Sequence, residues 1–474
     1  MNNKIPLGLS FDDVLLVPKR GIVDSRKDID VSTMLSRNIK LNIPLVATCM
    51  DTVTESRMAI AMAREGGIGL IHRFMTIEEQ AAEILKVKRS ESVVVENPYT
   101  LSPEKTVAEA KSYMRELGVS GFLIVDKNEK LKGILSRRDI VFADNAEKVE
   151  DVMTKNSDMI TVDRFVSTAV AKKILHQHRI EKLPIIDKDG RIRGQITSTD
   201  IRKIDEHPNA AKDKKGKLRV GAAVGIGGDY LERAEALINA GNDFLVLDVA
   251  HAHSDSYIKT LRIIKKKFDI DVLAGTVATA KGAKDLIEAG ADSLRVGIGG
   301  GSTCTTRIVA GAGMPQISAI MSCFKEAEKN SVPIISDGGL RTSGDLTKAL
   351  AAGASSAISG GHFSGTEESP GMTILRNGVK YKVSRGMASF GLAQGRKERE
   401  KYRSDYEAVP EGVEALVPFR GSVREVISQL IGGLRSGISY CGARNIKEMQ
   451  KNAEFVRITN AGMKESLPHD NQPI

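Results

Sequence analysis

Cysteine and long apolar runs are both scarce in this chain of 474 residues. The four cysteines lie far apart and form no CxxC pair, which disfavours a disulfide framework or a clustered zinc site; they are Cys49, Cys304, Cys323 and Cys441. No apolar run approaches the roughly 18 residues of a membrane span, and the N-terminal MNNKIPLGLS lacks the layout of a signal peptide. We therefore expect a cytoplasmic protein in which any reactive cysteine acts alone.

Concentrated charge of one sign is also missing. The formal net charge is +9, but Lys and Arg are spread along the chain and usually alternate with Asp and Glu. This disfavours nucleic-acid binding and favours a phosphate-bearing small ligand as the partner of the excess positive charge. Apolar residues make up 41% and charged residues 27%, as in soluble globular proteins. The length suits a barrel of about 250 residues plus a smaller domain.

Residues 95–205 contain an internal repeat. In the first copy a helical pattern, TVAEAKSYMRELG, precedes two short strand patterns, GFLIVD and KGILSRRDI. The second copy begins about sixty residues later and has the same order, with the helical pattern STAVAKKILHQHRI and the strand patterns LPIIDKDG and RGQITSTDI. The pair resembles tandem cystathionine-β-synthase-type (CBS) modules, which bind adenine or guanine nucleotides. The resemblance makes Asp139 and Asp200 ribose ligands. An Asp at the start of a helix also caps it without any nucleotide, so both interpretations stay open.

The remaining chain, residues 1–94 and 206–474, alternates short apolar runs with amphipathic helices. The runs recur at about 25-residue intervals and read LRVGAAVG, DFLVLDVA, DVLAGTV, SLRVGIGG, PIISDGG and SAISGG. This regularity predicts an α/β fold of the (β/α)₈ barrel type, with functional residues at the C-terminal ends of the strands. A doubly wound sheet is the alternative, but no GxGxxG opens the first helix as a dinucleotide-binding half-domain requires.

The segment VGIGGGSTCTTR, Val296 to Arg307, carries the strongest chemical signal. Its three successive glycines allow the backbone to approach a ligand closely, and Ser302 offers a hydroxyl. Cys304 lies in this polar loop and not on an apolar face. A cysteine in such a loop is often structural, but the setting is also the one expected of a nucleophile.

This loop resembles the catalytic cysteine loop of the inosine monophosphate (IMP) dehydrogenase and guanosine monophosphate (GMP) reductase family. Further matches follow in family order: LSFDDVLLVP, MDTVTESRMAIAMAREGGIGLIH, DGG at 337–339, GTEESPG, RGMAS and GMKES. The resemblance covers nearly the whole chain and implies a barrel with the CBS pair inserted between the second strand and the second helix. It also implies a purine nucleoside monophosphate substrate, a nicotinamide cofactor, a covalent adduct between Cys304 and C2 of the purine, and a homotetramer or octamer.

The resemblance assigns residues to each ligand. For the substrate these are Ser302, Asp337, Gly338, Gly339, Gly360, Gly361, Ser384, Arg385, Gly386, Met387, Ala388 and Glu411, with the glycine pairs supplying N–H donors to the phosphate. For the cofactor they are Asp248, Gly297, Ile298 and Gly299, although Asp248 could instead cap a helix. A K⁺ ion would be held by Gly299, Gly301 and Cys304 together with Glu465, Ser466 and Leu467 of a neighbouring subunit. His251 and His253 have no third ligand nearby, which disfavours a zinc site.

The direction of the reaction depends on the flap, Phe390 to Gly412. IMP dehydrogenases activate water with an Arg followed by Tyr, whereas this chain has Lys401 before Tyr402; Arg399 or Arg403 could substitute if the alignment shifts. GMP reductases use a Thr two residues after the cysteine and a flap Glu, which Thr306 and Glu411 match. We expect a GMP reductase that uses NADPH. An IMP dehydrogenase that uses NAD and a non-catalytic nucleotide sensor remain the alternatives.

Three further positions depart from the family pattern. Thr276 replaces the usual Asn, Gly300 the usual Pro of the cysteine loop, and Ser384 the Tyr that often precedes RGM. We expect the first to alter cofactor contacts, the second to loosen the loop and the third to remove a phosphate contact. None of them removes the Cys304 chemistry.

Overall fold

The computed structural model describes residues 5–91, 94–96, 98–164, 166–390 and 409–468. The chain divides into two compact units. Unit 1 comprises Met1–Ser90, Asn209–Asp213 and Leu218–Ile474, and unit 2 comprises Glu91–Pro208 and Lys214–Lys217. Among the described residues, no helix is both long enough and apolar enough to cross a membrane.

Unit 1 is built on a closed barrel of eight parallel strands. In chain order these are β1 (Leu45–Ala47), β2 (Ile68–Ile71), β3 (Gly221–Val224), β4 (Phe244–Asp248), β5 (Asp271–Val277), β6 (Ser293–Val296), β7 (Ile334–Asp337) and β8 (Ser356–Ser359). Each strand pairs with the next, and β8 pairs with β1 through Ala357–Leu45 to close the barrel. The α/β barrel prediction is confirmed, and the doubly wound alternative is wrong.

A helix follows each strand. These are α1 (Ser56–Arg64), α2 (Ile77–Ser90), α3 (Tyr230–Asn239), α4 (Asp255–Lys267), α5 (Ala280–Glu288), α6 (Gln316–Lys329), α7 (Ser343–Ala351) and α8 (Val423–Tyr440). Alternate residues of β4 show that both faces of the barrel sheet are buried, the outer face against the helices and the inner face in the barrel interior. Leu245 and Leu247 join the apolar cluster that contains the helices, whereas Phe244 and Val246 join a second cluster that contains no helix residue and fills the barrel interior.

Unit 2 is inserted at a different place in the chain from the one that the sequence analysis predicted. Helix α2 follows β2 directly, and Ile84 and Val87 of α2 are buried in the same cluster as the other barrel helices. The insert therefore follows the second helix and precedes β3, and its predicted place between the second strand and helix is wrong. The sequence of α2, IEEQAAEILKVKRS, has the amphipathic pattern that would have located it.

Smaller elements complete unit 1. They are the 3₁₀ turns Phe11–Asp13 and Arg26–Asp28, the antiparallel pairs Val14–Leu16 with Phe455–Arg457 and Thr33–Met34 with Lys40–Leu41, the three-stranded sheet Thr373–Arg376, Val379–Arg385 and Glu414–Pro418, and the helices Thr306–Val309, Ile446–Asn452 and Asn460–Glu465.

The two copies in unit 2 contain the same elements in the same order. The first has helix Val107–Leu117, strands Gly121–Val125 and Leu131–Ser136, and helix Arg137–Ile140; the second has Thr168–His178, Lys182–Ile186, Ile192–Thr197 and Ser198–Glu206. The sheet of the first copy also contains two short strands, Thr100–Leu101 and Thr154–Lys155. A short helix, Val149–Val152, precedes the second of these strands in the chain, and the 3₁₀ turn Asn156–Asp158 follows it. Each copy has its own apolar cluster.

Asp139 and Asp200 both act in helix capping. The Asp139 carboxylate accepts hydrogen bonds from the N–H (2.6 Å) and hydroxyl (2.8 Å) of Ser136. Asp200 accepts from the Thr197 hydroxyl (2.5 Å), and its own N–H donates to that oxygen (3.1 Å). Each carboxylate reaches back from the first turn of its helix, so these two residues need no nucleotide to account for their positions.

Candidate active site

A cavity of about 630 Å³ opens at the C-terminal ends of the barrel strands. Much of its wall comes from the ends of β4, β6, β7 and β8 and from the loops that follow them, at residues 248–250, 297–304, 337–341 and 359–361. Two further segments of the wall are Gly386–Ala388 and Glu411–Gly412. Because the strands of a barrel all end on one face, segments far apart in sequence converge here. The volume lies in the range typical of small-molecule sites.

Cys304 lies on this wall, half-buried, two residues before the helix Thr306–Val309. Its Sγ is 3.2 Å from the hydroxyl oxygen of Thr306, and its N–H donates to the carbonyl of Gly301 (3.1 Å), which turns the loop tightly. The other three cysteines are buried. Burial raises the pKa of Cys49 and of Cys323 to about 12, so these thiols stay protonated and unreactive near neutral pH.

A distant segment pairs with the cysteine loop and brings a carboxylate to it. The N–H of Thr305 donates to the carbonyl of Glu411 (2.8 Å), and the N–H of Val413 donates to the carbonyl of Thr303 (2.9 Å). Cys304 and Gly412 form an antiparallel bridge between these contacts. Glu411 and Cys304 therefore line the same cavity, joined by backbone hydrogen bonds.

The cysteine loop also packs closely against the end of β7. Gly338 has φ +90°, and a Cβ there would lie 2.9 Å from backbone atoms of Gly300 and Gly301, so a side chain would displace the loop. Arg307 donates to the carbonyl of Ile298 (3.1 Å), and Gln316 donates to the carbonyl of Val296 (2.7 Å). These two hydrogen bonds hold the backbone just before the three glycines.

Arg295, on β6, joins two carboxylates at the base of the cavity. Its Nε donates to Asp337 Oδ2 (2.5 Å), and its Nη1 donates to Asp248 Oδ1 (2.6 Å). Burial alone would lower the pKa of Arg295, but the charges of Asp337 and Asp248 and the hydrogen bond to Asp248 raise it well above the ordinary value. The guanidinium stays charged, and each aspartate is oriented by a charge-assisted hydrogen bond.

The two glycine pairs line the same cavity. Gly338 and Gly339 both have positive φ, and Gly361 lies against Ser302, whose hydroxyl oxygen would be 3.2 Å from a Cβ at that glycine. Without side chains these positions leave backbone groups accessible to a ligand. The site thus places a thiol, two oriented carboxylates and glycine-rich strand ends around one space.

Comparisons with known proteins identify the family. Residues 8–469 match the model of the IMP dehydrogenase / GMP reductase domain. The inosine-5'-monophosphate dehydrogenase of Nitrosopumilus maritimus is 55% identical over 98% of both chains. The GMP reductase of Leishmania donovani is 45% identical over 98% of this chain and 97% of its own. The chain belongs to the IMP dehydrogenase/GMP reductase family.

A solved structure agrees with this assignment. A cysteine-to-alanine variant of GMP reductase from Trypanosoma brucei, in complex with guanosine 5'-monophosphate, has a TM-score of 0.93 and 44% identity and covers 99% of both chains. Members of the IMP dehydrogenase/GMP reductase family are NAD(P)-dependent oxidoreductases, and so is this chain.

Most of the residues that the sequence predicts for this family lie on the cavity wall. They are Asp248, Gly297, Ile298, Gly299, Gly301, Ser302, Cys304, Thr306, Asp337, Gly338, Gly339, Gly360, Gly361, Gly386, Met387, Ala388 and Glu411. Thr276 lines it too, and its hydroxyl donates to the carbonyl of Ala250 (2.7 Å). The assignment of each residue to substrate or cofactor remains a prediction.

Other predicted residues lie off the wall. Ser384 is buried within the strand Val379–Arg385, and the guanidinium of Arg385 pairs with Asp51 at 2.9 Å. Lys401, Tyr402, Arg399 and Arg403 lie outside the described residues. Glu465 ends the helix Asn460–Glu465, with Ser466 and Leu467 directly after it; their predicted role requires a second subunit.

The histidines after β4 form no metal cluster. His253 pairs with Asp285 at 2.8 Å, and the rings of His251 and His253 meet edge to face. Within the described part of the chain, no group of three or more His, Cys, Asp or Glu side chains could hold a metal ion.

Sequence reasoning missed several residues of the wall, among them Arg295, Arg73, Thr48 and Met50. One signal was available for Arg295, because a charged residue interrupts the otherwise apolar strand pattern SLRVGIGG. The others follow β1 and β2. Met50 opens the family match MDTVTESRMAIAMAREGGIGLIH, which was not used to assign it to the site, whereas Thr48 and Arg73 lie just outside that match.

Proposed function

We propose that this chain carries out redox chemistry at C2 of a purine nucleoside monophosphate through a covalent adduct on Cys304. The observation that carries the proposal is the placement of the Cys304 thiol on the cavity wall, 3.2 Å from the Thr306 hydroxyl and on the same wall as Glu411. The thiolate adds to C2 and leaves after hydride transfer, which divides one difficult step into two. Thr306 and Glu411 are then available to move protons at the substituent on C2.

The substrate position follows from the same wall. Asp337, oriented by Arg295, accepts hydrogen bonds from the ribose hydroxyls through its remaining carboxylate oxygen. The loops with Gly338, Gly339, Gly360 and Gly361 hold the phosphate through backbone N–H groups. The guanosine 5'-monophosphate in the Trypanosoma brucei GMP reductase supports this class of substrate.

The residues assigned to the cofactor line the same cavity. Asp248 lines the cavity at the end of β4, where Arg295 orients its carboxylate, and we assign it to the cofactor ribose. Gly297, Ile298 and Gly299 provide adjacent backbone. When bound, the nicotinamide supplies or accepts the hydride.

For the direction, we propose GMP reduction: GMP, NADPH and two protons give IMP, NADP⁺ and ammonium. Hydrolysis of the adduct, which IMP oxidation requires, needs a base for water, and Lys401 stands where the family resemblance expects Arg. Ammonia release needs no such base. IMP dehydrogenase is the second candidate, because the 55% identical relative from Nitrosopumilus maritimus carries that name.

Paired assays on the purified protein distinguish the two directions. We expect rapid NADPH oxidation with GMP and slow NAD reduction with IMP. Lys401→Arg should raise IMP oxidation, by up to the 10²–10⁴-fold that general base catalysis typically contributes, with little change in GMP reduction. Rapid IMP oxidation by the unmodified chain, with no GMP-dependent loss of NADPH, would establish the dehydrogenase instead.

We also propose that unit 2 is a tandem CBS module that binds a purine nucleotide. The first copy has a cavity of about 520 Å³ lined by Lys111, Arg115 and Arg137 beside the apolar Met114 and Ile140, a lining that suits an anion attached to an apolar group. Titration of the full chain with GTP or ATP should show binding that weakens in Arg115→Ala. Undiminished binding in that variant would place the nucleotide elsewhere.

The predicted K⁺ ion and tetramer belong to the same proposal. The ion would join Gly299, Gly301 and Cys304 to Glu465, Ser466 and Leu467 of a neighbouring subunit, so activity should require both K⁺ and the assembled oligomer. Turnover at full rate by a monomer in K⁺-free buffer would contradict it.

A further inference from the structure

His362 connects the two loops that we propose for the phosphate. It directly follows Gly360 and Gly361, and it is buried behind the cavity wall with 7% of its surface exposed. One ring nitrogen, Nδ1, is 2.9 Å from the hydroxyl oxygen of Ser359 at the end of β8. The other, Nε2, is 3.2 Å from the carbonyl oxygen of Arg341, two residues after Gly339.

The chemistry of the partners determines where the proton lies. A carbonyl oxygen can only accept, so Nε2 carries the hydrogen and donates it to Arg341. Nδ1 then has a free lone pair and accepts from the Ser359 hydroxyl. The Ser359 oxygen also accepts from the backbone N–H of His362 (3.3 Å). The acceptor half of the bridge, at Nδ1, therefore requires the neutral ring, whereas the Nε2–H can donate to Arg341 in either protonation state.

The surroundings keep the ring neutral near neutral pH. Burial lowers the pKa of His362, and the positive charge of Arg420 acts in the same direction. The hydrogen bond to the carbonyl of Arg341 and the charge of Asp345 oppose this shift but do not reverse it. A buried histidine in this state serves as a fixed donor and acceptor.

We propose that His362 is a positioning residue that holds the loops after β7 and β8 at the separation needed to bind the substrate phosphate. Ser359 and Arg341 both line the cavity, so the bridge spans the two sides of the proposed phosphate position without touching the ligand. The inference rests on the proposed function, because it assigns the phosphate to these loops. It adds to that function the side chain that sets the distance between the two phosphate-binding loops.

Three substitutions of His362 distinguish the contribution of its hydrogen bond with Ser359 from that of its hydrogen bond to Arg341. His362→Asn retains an acceptor near the Nδ1 position, His362→Gln retains a donor that can reach the Arg341 carbonyl, and His362→Met removes both. The measured quantity is the ratio of the dissociation constants for guanosine and GMP, which isolates the contribution of the phosphate. We expect His362→Met to lower this ratio roughly tenfold and the other two to lower it less, with guanosine binding unchanged.

A matched control comes from His72 at the end of β2. It is also buried, and both its ring nitrogens are engaged, by Glu55 (3.4 Å) and by the N–H of Phe74 (3.1 Å). Neither contact reaches the loops after β7 and β8. His72→Gln should therefore leave the ratio unchanged even where it lowers the melting temperature. An equal drop in the ratio for His72→Gln would show that general destabilisation causes the effect.

The unmodified chain provides a test that does not depend on the variants folding. Because the pKa of His362 is lowered, protonation of Nδ1 occurs only in acid, where it turns an acceptor into a donor facing Ser359. The guanosine-to-GMP ratio should therefore fall more steeply with acid than it does in His362→Asn. Parallel pH profiles, or an unchanged ratio in folded His362→Met, would overturn the positioning role. If the unmodified chain bound GMP no better than guanosine, the proposed phosphate site itself would be wrong.

Discussion

Arg295→Met tests the charge arrangement at the base of the site. The substitution keeps an apolar side chain in the barrel but removes the guanidinium that binds Asp248 at 2.6 Å and Asp337 at 2.5 Å. The two aspartate side chains are only 11% and 19% exposed, so water cannot fully replace the lost partner. Removing one member of a buried ion pair typically costs about 3–5 kcal/mol of unfolding free energy. We expect a loss in this range at pH 7.

The assay is urea denaturation at pH 7, with the variant compared with the unmodified chain. Arg295→Met combined with Asp248→Asn and Asp337→Asn is the matched control. It should recover much of the stability, since neutral amides need no counter-ion. A loss below about 1 kcal/mol at pH 7, or a control variant no more stable than Arg295→Met alone, would refute the reasoning.

The remaining predictions concern catalysis and organisation. Cys304→Ala and Cys304→Ser should fold normally and lose turnover, and a residual rate of even a tenth would exclude covalent catalysis. Thr306→Val keeps the shape but removes the hydroxyl 3.2 Å from Sγ, so kcat should fall roughly 10²-fold while GMP binding persists; equal kcat in both proteins would exclude a role in proton transfer. Replacing residues 95–205 with a short Gly/Ser linker should preserve catalysis and abolish nucleotide regulation, because every wall residue of the active-site cavity belongs to unit 1; an insoluble or inactive product would show that the insert is structural.

Local patterns in the sequence were sufficient to predict the α/β barrel. Strands buried on both faces are continuous apolar runs, and their regular alternation with helices allows few folds other than a barrel. The repeat in residues 95–205 was visible because each copy has its own apolar cluster and therefore its own complete pattern. Helix α2 was missed beside that repeat although its amphipathic pattern is clear, and this shifted the predicted position of the insert.

The local pattern around Cys304, with three glycines and hydroxyl residues beside a thiol, left a structural cysteine open, and the resemblance to the family decided its assignment as the nucleophile. Only the tertiary structure decided which groups meet it. Hydrogen bonds between distant backbone segments bring Glu411 to the cysteine loop, and Arg295 joins aspartates from two other strands. The His362 bridge likewise depends on the distance between two strand ends. Such contacts arise from the closure of the barrel, and closure leaves no periodic signal along the chain because it is set by packing between elements far apart in sequence.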